Sequence, residues 1–250
     1  MSGMQTSAQH FDRLAARYGE LRASAAEVDP VTEAVVELGQ LRGCCVLDVG
    51  CGPGTVIRQL ARGFAIDAVG VDSSPKMIEV ARDEAGRCGA FHVGRAEELP
   101  LEPCSFDGVL MRLVVHHLER PAAFAEMRRV LKPGGRLVVT TTDPNAVEAF
   151  WMAPFFPSYV EIERRRFPAG EVLRSELADA GFTGIRVVSF VLERCFSRAE
   201  ALEKIRARAY SSFVHMGDDE YVAGLAAAEA RLPVEVCYDL RMLNVLAVRP

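Results

Sequence analysis

The chain has 250 residues, 50% hydrophobic and 25% charged, with a net charge of −5 and a pI near 5.6. That suits one sizeable α/β domain with insertions, or two small domains, and argues against a nucleic-acid surface, which needs clustered positive charge. No run approaches the roughly 18 apolar residues of a membrane helix and no apolar leader opens the chain, so a soluble, cytoplasmic protein without membrane contact is expected.

Seven cysteines, with Cys44 and Cys45 adjacent and none in a Cys-x-x-Cys pair, suggest reduced thiols, no disulfide framework and no metal site. Residues 1–9 are polar and are expected to be frayed. Phe11, Leu14, Ala15, Tyr18 and Leu21 then fall at helical spacing, and Asp29-Pro30 opens a second helix through Val35, Val36 and Leu38.

The stretch from Cys45 to Thr55 organises the rest of the chain. An aliphatic strand, Cys45–Val49, stops at Gly50-Cys-Gly-Pro-Gly54, and the helical pattern Val56, Ile57, Leu60 begins at once. Glycines without a Cβ and a helix N-terminus with free amides make a ligand-binding βα unit. A dinucleotide fingerprint wants a further glycine at position 55, where Thr55 stands. A second strand, Ile66–Val71, ends in Asp72. That carboxylate can accept two hydrogen bonds from a ribose diol, or it can cap the helix starting near Pro75, a role for which Ser73 and Ser74 compete.

Further strands are expected over Phe91–Gly94, Gly108–Met111, a fifth following Lys132-Pro-Gly-Gly135, Ile185–Leu192 and Leu243–Val248. Helices are expected over Pro121–Leu131 and Glu171–Ala180, the second ended by Gly181.

The run Asp48-Val-Gly-Cys-Gly-Pro-Gly-Thr55 resembles motif I of the class I S-adenosylmethionine (SAM) dependent methyltransferases of the small-molecule type. Leu131-Lys-Pro-Gly-Gly135 resembles that family's turn into its fifth strand. The resemblance covers about residues 40 to 140 by motif and the rest by topology. It implies an α/β fold: a Rossmann-like, doubly wound, seven-stranded sheet in the order 3-2-1-4-5-7-6, its last strand antiparallel, with helical lid insertions. The implied cofactor is SAM and the product S-adenosylhomocysteine. Asp48, Gly50, Cys51, Gly52 and Gly54 would form the glycine turn around it, with Asp72 at the ribose and Ser73 and Met77 also contacting the cofactor. Ala96 and Glu97 would meet the adenine, although Arg95 stands where the family commonly carries Asp. Met111 and Arg112 would line the methionine half, Arg112 able to meet a carboxylate. Tyr18 either covers the methyl-bearing end or is a core residue.

The expected division is a helical cap (1–40), a SAM-binding core (41–142), an aromatic-rich insertion (143–168), a core continuation (169–194), a helical lid insertion (195–236) and a final strand (237–250). The second insertion reads as two helices, Arg198–Tyr210 and Asp218–Leu232. Insertions at the C-terminal edge of an open parallel sheet are where ligands lie, so together they should form an aromatic-lined lid. For any single aromatic among Phe150, Trp151, Phe155, Phe156, Tyr159 and Phe167, which cluster with Met152 in this insertion, simple packing is the competing reading. His116 and His117 are candidates for a general base or for a hydrogen-bonded wall. Tyr159, Tyr210 and His215 are the polar groups best able to orient a substrate, and Arg164–Arg166 reads as a solvated face with one arginine free to turn inward.

The function this implies is methyl transfer from SAM to O, N or C of a small, largely apolar or aromatic metabolite, in a setting such as secondary metabolism. The alternatives are a nicotinamide-dependent oxidoreductase, which Thr55 opposes, and a non-catalytic SAM-binding protein, which Arg95 and the lack of an unmistakable base keep open. The partner is a small-molecule substrate, and the oligomeric state stays open between monomer and homodimer.

Overall fold

Aliphatic runs too short for helices become strands here because helices cover both faces of the sheet. The computed structural model describes residues 2–22, 28–85 and 88–250, and these form one seven-stranded sheet in the order β3-β2-β1-β4-β5-β7-β6. The strands are β1 (Cys45–Val49), β2 (Asp67–Asp72), β3 (Ala90–Val93), β4 (Phe106–Arg112), β5 (Leu131–Thr142), β6 (Thr183–Ser197) and β7 (Glu235–Val248). β1 to β5 pair in parallel, and β7 lies antiparallel between β5 and β6, as expected.

The helices are α1 (Ser2–Arg22), α2 (Pro30–Gly39), α3 (Thr55–Phe64), α4 (Pro75–Ala85), α5 (Arg120–Val130), α6 (Tyr159–Arg166), α7 (Gly170–Asp179), α8 (Arg198–Arg206) and α9 (Asp218–Arg231). Val35, Ile57, Leu60 and Ile78 from α2, α3 and α4 pack on Val46 and Leu110 on one face of the sheet. Phe124, Met127, Leu173 and Leu177 from α5 and α7 pack on Leu47 and Val109 on the other. Residues 2–9, expected to be frayed, lie in the first turns of α1, and Met1 is outside the described residues. Among the described residues no helix is long and apolar enough to cross a membrane.

The glycine turn expected to precede the fifth strand lies inside β5, where it is taken up as a register shift. Phe106 pairs with Leu131 and the next rung is Gly108 with Arg136, so Lys132-Pro-Gly-Gly135 bulges between them.

Two expectations require correction. The lid insertion does not begin at residue 195: β6 and β7 run on as a continuous ladder to the rung Ser197↔Glu235, well past the expected ends at Leu192 and Leu243. Glu193 and Arg194 read as a strand end, yet an edge strand tolerates charge on alternating positions. The cysteines are not all free thiols either. Cys195 and Cys237 sit directly opposite each other on that ladder and form a disulfide, while Cys44, Cys45, Cys51, Cys88 and Cys104 are free. Their 42-residue separation hid a pairing that the strand register creates.

The two insertions fold onto one another. Trp151, Met152, Phe156, Ile205, Phe213 and Ala228 share one buried cluster with Leu240 and Met242 of β7. Gly224 of α9 lets the Phe156 ring reach the helix, since a Cβ there would meet Phe156 Cε1 at 2.3 Å.

Candidate cofactor and acceptor site

The amides of Gly50 and Cys51 donate to Val71 O at 2.8 and 3.1 Å, which fastens the glycine turn after β1 to the end of β2. The next amide, Gly52 N, donates to Asp72 Oδ2 at 2.9 Å. Gly52 has φ +54, and a Cβ there would meet nothing nearer than Tyr18 Cε1 at 4.0 Å, so this glycine opens onto space beneath the Tyr18 ring. Gly54 answers a different need. It is the left-handed N-cap of α3, where a Cβ would strike Phe91 Cε1 at 2.9 Å, and it does not line the cavity that Gly52 faces.

Asp72 Oδ1 accepts from Ser74 N at 2.9 Å, and Ser74 Oγ accepts from Met77 N at 3.1 Å. Ser74, not Asp72, therefore caps α4. Ser74 Oγ also donates to Asp12, which ties α1 down over the turn. Burial raises the Asp72 carboxyl above the usual range, against the lowering effect of the amides of Ser74 and Gly52.

On β1, Asp48 is 1% exposed and its Oδ2 has no hydrogen-bond partner among the described residues. Burial pushes its pKa up to about 7, with Arg112 pulling down and Asp72 pushing further up. Arg112, at the end of β4, gives Nη1 to Asp29 Oδ2 at 2.8 Å and to Thr32 Oγ1 at 3.1 Å. The carboxylate that Arg112 meets in this structure is thus the residue capping α2. Burial would raise Asp29, but the charge and hydrogen bond of Arg112 hold it below its ordinary value.

One cavity of about 1050 Å³ joins these groups to the insertions. At its first end lie Tyr18, Asp48, Gly50, Cys51, Gly52, Asp72, Ser73, Met77, Ala96, Glu97 and Arg112. Glu97 Oε1 accepts from Glu119 N at 3.0 Å, and Arg95, which departs from the family's pattern, pairs with Glu97 at 3.3 Å. Met111 is fully buried in the core cluster behind β4 and does not line this cavity.

The chain leaves β4 through Leu113, a cavity residue at φ +54, a strained conformation of the kind concentrated at functional sites. Beyond it the single turn Val115–His117 sets both histidines in the cavity wall. His117 packs edge-on to Phe11 of α1 at 5.6 Å, and His116 lies 4.2 Å from Phe167, centroid to centroid. Burial drives the His117 pKa down to about 3, with Arg166, His215 and His10 adding. His215 acts on it only through charge and does not line the cavity.

The second end is walled by both insertions and the long ladder. Phe150 stacks on Tyr159 at 5.4 Å and takes Tyr210 and Tyr238 edge-on at 5.3 and 5.0 Å. Burial raises the Tyr159 hydroxyl well above its ordinary pKa, so it stays protonated. Glu163 also lines the cavity and pairs with the inward-turned Arg166 at 2.6 Å, whereas Arg164 and Arg165 make exposed pairs with Glu148 and Glu161. Of the aromatic insertion, Phe150, Tyr159 and Phe167 reach the cavity, while Trp151, Phe155 and Phe156 serve packing. Sequence reading missed Glu163, Leu192, Arg194, Tyr238, Leu240 and Met242. A helical i, i+4 step from Tyr159 is a signal that reaches Glu163, whereas nothing local in the sequence marks the ladder residues beyond Leu192 and before Leu243.

Comparison with known proteins agrees with this architecture. Residues 47–139 match the family described as methyltransferase domain. The O-methyltransferase cnsE of Penicillium expansum is 34% identical over 163 residues, covering 62% of this chain and 58% of that protein. The demethylmenaquinone methyltransferase of Staphylococcus aureus is 30% identical over 178 residues, covering 62% of this chain and 74% of that protein. The chain thus spans less than two thirds of the fungal relative's length. A putative methyltransferase from an antibiotic biosynthesis pathway of Anabaena variabilis superposes with a TM-score of 0.71 at 23% identity, over 88% of this chain and 99% of that one, a likeness of fold. With motif, sheet order and an S. aureus relative matched over most of its length, the chain belongs to the class I methyltransferases, whose cofactor is S-adenosylmethionine.

Proposed function

We propose that this chain transfers a methyl group from SAM to O, N or C of a small, largely apolar or aromatic metabolite. The observation that carries this reading is the single cavity running from the glycine turn to the aromatic wall of the insertions. Its volume, about 1050 Å³, is at the upper end of the roughly 300–1,000 Å³ of pockets for one drug-sized ligand, room for a cofactor and an acceptor side by side.

The residues at the first end fit SAM. Asp72 keeps acceptor capacity on both oxygens for a ribose diol, the open space at Gly52 admits a ligand against the backbone, and partnerless Asp48 Oδ2 suits a cationic donor. Ala96 and Glu97 would lie along the adenine, and Tyr18 would cover the cofactor. When bound, SAM supplies a methyl group already activated by its sulfonium.

What the chain contributes is alignment and exclusion of water, which in favourable cases account for roughly 7–11 kcal/mol of barrier. Leu113, His116, His117 and Phe167 wall the cavity, and the Phe150 cluster offers an aromatic acceptor a flat partner. His117, held neutral with a pKa of about 3, is a poor proton acceptor at neutral pH, and Tyr159 can only donate. With these two groups unsuited to take a proton, the reading favours an acceptor that arrives already nucleophilic, such as a phenolate, an enolate or an unprotonated amine.

The test is incubation of the purified protein with methyl-labelled SAM and a metabolite extract. Label appearing in a small aromatic product is the expected result. SAM binding with no label transferred to any metabolite would instead support the non-catalytic reading.

A further inference from the structure

The arginines lining the cavity differ in their partners. Arg112 is paired with Asp29 at 2.8 Å and Arg95 with Glu97 at 3.3 Å, and Arg166, beside the wall, is paired with Glu163 at 2.6 Å. Arg194 lines the cavity too, yet among the described residues it forms no ion pair. Its hydrogen bond is to the carbonyl oxygen of its own neighbour Glu193, at 3.5 Å. This half-buried guanidinium is a cation at the cavity lining that no carboxylate among the described residues pairs with.

The backbone at Arg194 is set by the strand register. It stands opposite Tyr238 on the β6–β7 ladder, both residues facing the cavity, and the next rung is the Cys195–Cys237 crosslink. Around it the wall is apolar or aromatic: Phe150, Leu192, Leu240 and Met242. Glu163, a carboxylate that also lines the cavity, is held by Arg166. A rigid fork of donors beside a flat apolar wall matches a planar carboxylate attached to a ring, which an arginine binds through two parallel hydrogen bonds.

We infer that the acceptor is an aromatic acid whose carboxylate is held by Arg194 while its ring lies against Phe150 and Tyr238. This rests on the methyltransferase reading of the same cavity and goes further by naming the acceptor's class. Arg194 is then a specificity-determining residue and takes no part in the transfer itself.

The test is isothermal titration of protein saturated with S-adenosylhomocysteine. The probes are caffeate, para-coumarate and ferulate, each against its methyl ester, and the proteins are wild type, Arg194→Gln and Arg194→Lys. At least one acid is expected to bind wild type about tenfold or more tighter than its ester. Arg194→Gln should remove that difference by weakening the acid alone, and Arg194→Lys should keep part of it. S-adenosylhomocysteine should bind all three proteins alike, which also reports that they are folded.

Equal affinity of acids and esters for wild type, no binding of any acid, or an acid preference that survives in Arg194→Gln overturns the inference. If S-adenosylhomocysteine binds normally in those cases, the inference alone falls. If it fails to bind wild type, the methyltransferase reading falls with it.

Discussion

Asp72 Oδ2 accepts the amide hydrogen of Gly52 at 2.9 Å, so the carboxylate that ends β2 sets the position of the turn that ends β1. Its other oxygen holds Ser74 N, the residue capping α4 and tying down α1. Asp72→Ala would leave both amides without acceptors, at a cost of about 1–3 kcal/mol for each that stays buried. The variant is expected to melt at a lower temperature and to bind SAM at least about tenfold more weakly, by the loss of a charge-assisted partner for the ribose. Calorimetric titration beside a thermal melt checks both, and a lower melting temperature with unchanged SAM affinity would confine Asp72 to a structural role.

Asp48 gives a pH dependence whose sign is fixed by its burial. Its folded pKa is raised from 3.8 to about 7. The unfolded chain therefore loses this proton first, and the contribution of Asp48 to stability is fully present below its unfolded pKa and is lost as pH rises toward the folded value, by up to roughly 1.4 kcal/mol per pH unit. Urea denaturation of cofactor-free protein should show stability falling across this window in wild type and a flatter profile in Asp48→Asn. Parallel profiles for the two proteins would remove Asp48 as the cause.

His117 is expected to be dispensable as a base. Loss of a general base costs about 10²–10⁴ in rate, whereas His117→Asn should keep kcat/KM within about tenfold of wild type. The pH–rate profile should lack an inflection from His117 between its lowered pKa of about 3 and the alkaline limb. An inflection near neutrality that disappears in His117→Asn would restore the catalytic reading.

The Cys195–Cys237 crosslink closes a loop that contains the whole second insertion, with a sequence separation of 42. A loop of that size corresponds to roughly 4 kcal/mol on the chain-entropy account. Thiol titration in denaturant should count the five free cysteines before reduction and all seven after it. The Cys195→Ser protein should melt several degrees lower than oxidised wild type. Seven reactive thiols without reductant would mean that the strand register alone holds the arm.

Most of the sheet was legible because its signals are local. The glycine turn, the acid ending β2 and the Lys132-Pro-Gly-Gly135 turn each declare themselves within a few residues, and the family resemblance supplied the strand order. The cavity's second end was not local. Arg194 and Tyr238 become neighbours only through the antiparallel register, and the same register brings Cys195 to Cys237. Phe150 and Trp151 are adjacent and chemically alike, yet one reaches the cavity and the other packs beneath it, a difference set by tertiary contacts. Gly52 and Gly54 are likewise indistinguishable as letters. One opens to the cavity and the other yields space to Phe91.

The most direct test is titration of SAM into wild type and Gly52→Val. A valine at a backbone position with φ +54 would project its side chain into the open space under Tyr18. Saturable binding of one SAM per chain in wild type, at least about tenfold weaker in Gly52→Val, is the expected result. Equal affinity in the two proteins, or no binding to wild type, would contradict the assignment of this crevice to the cofactor.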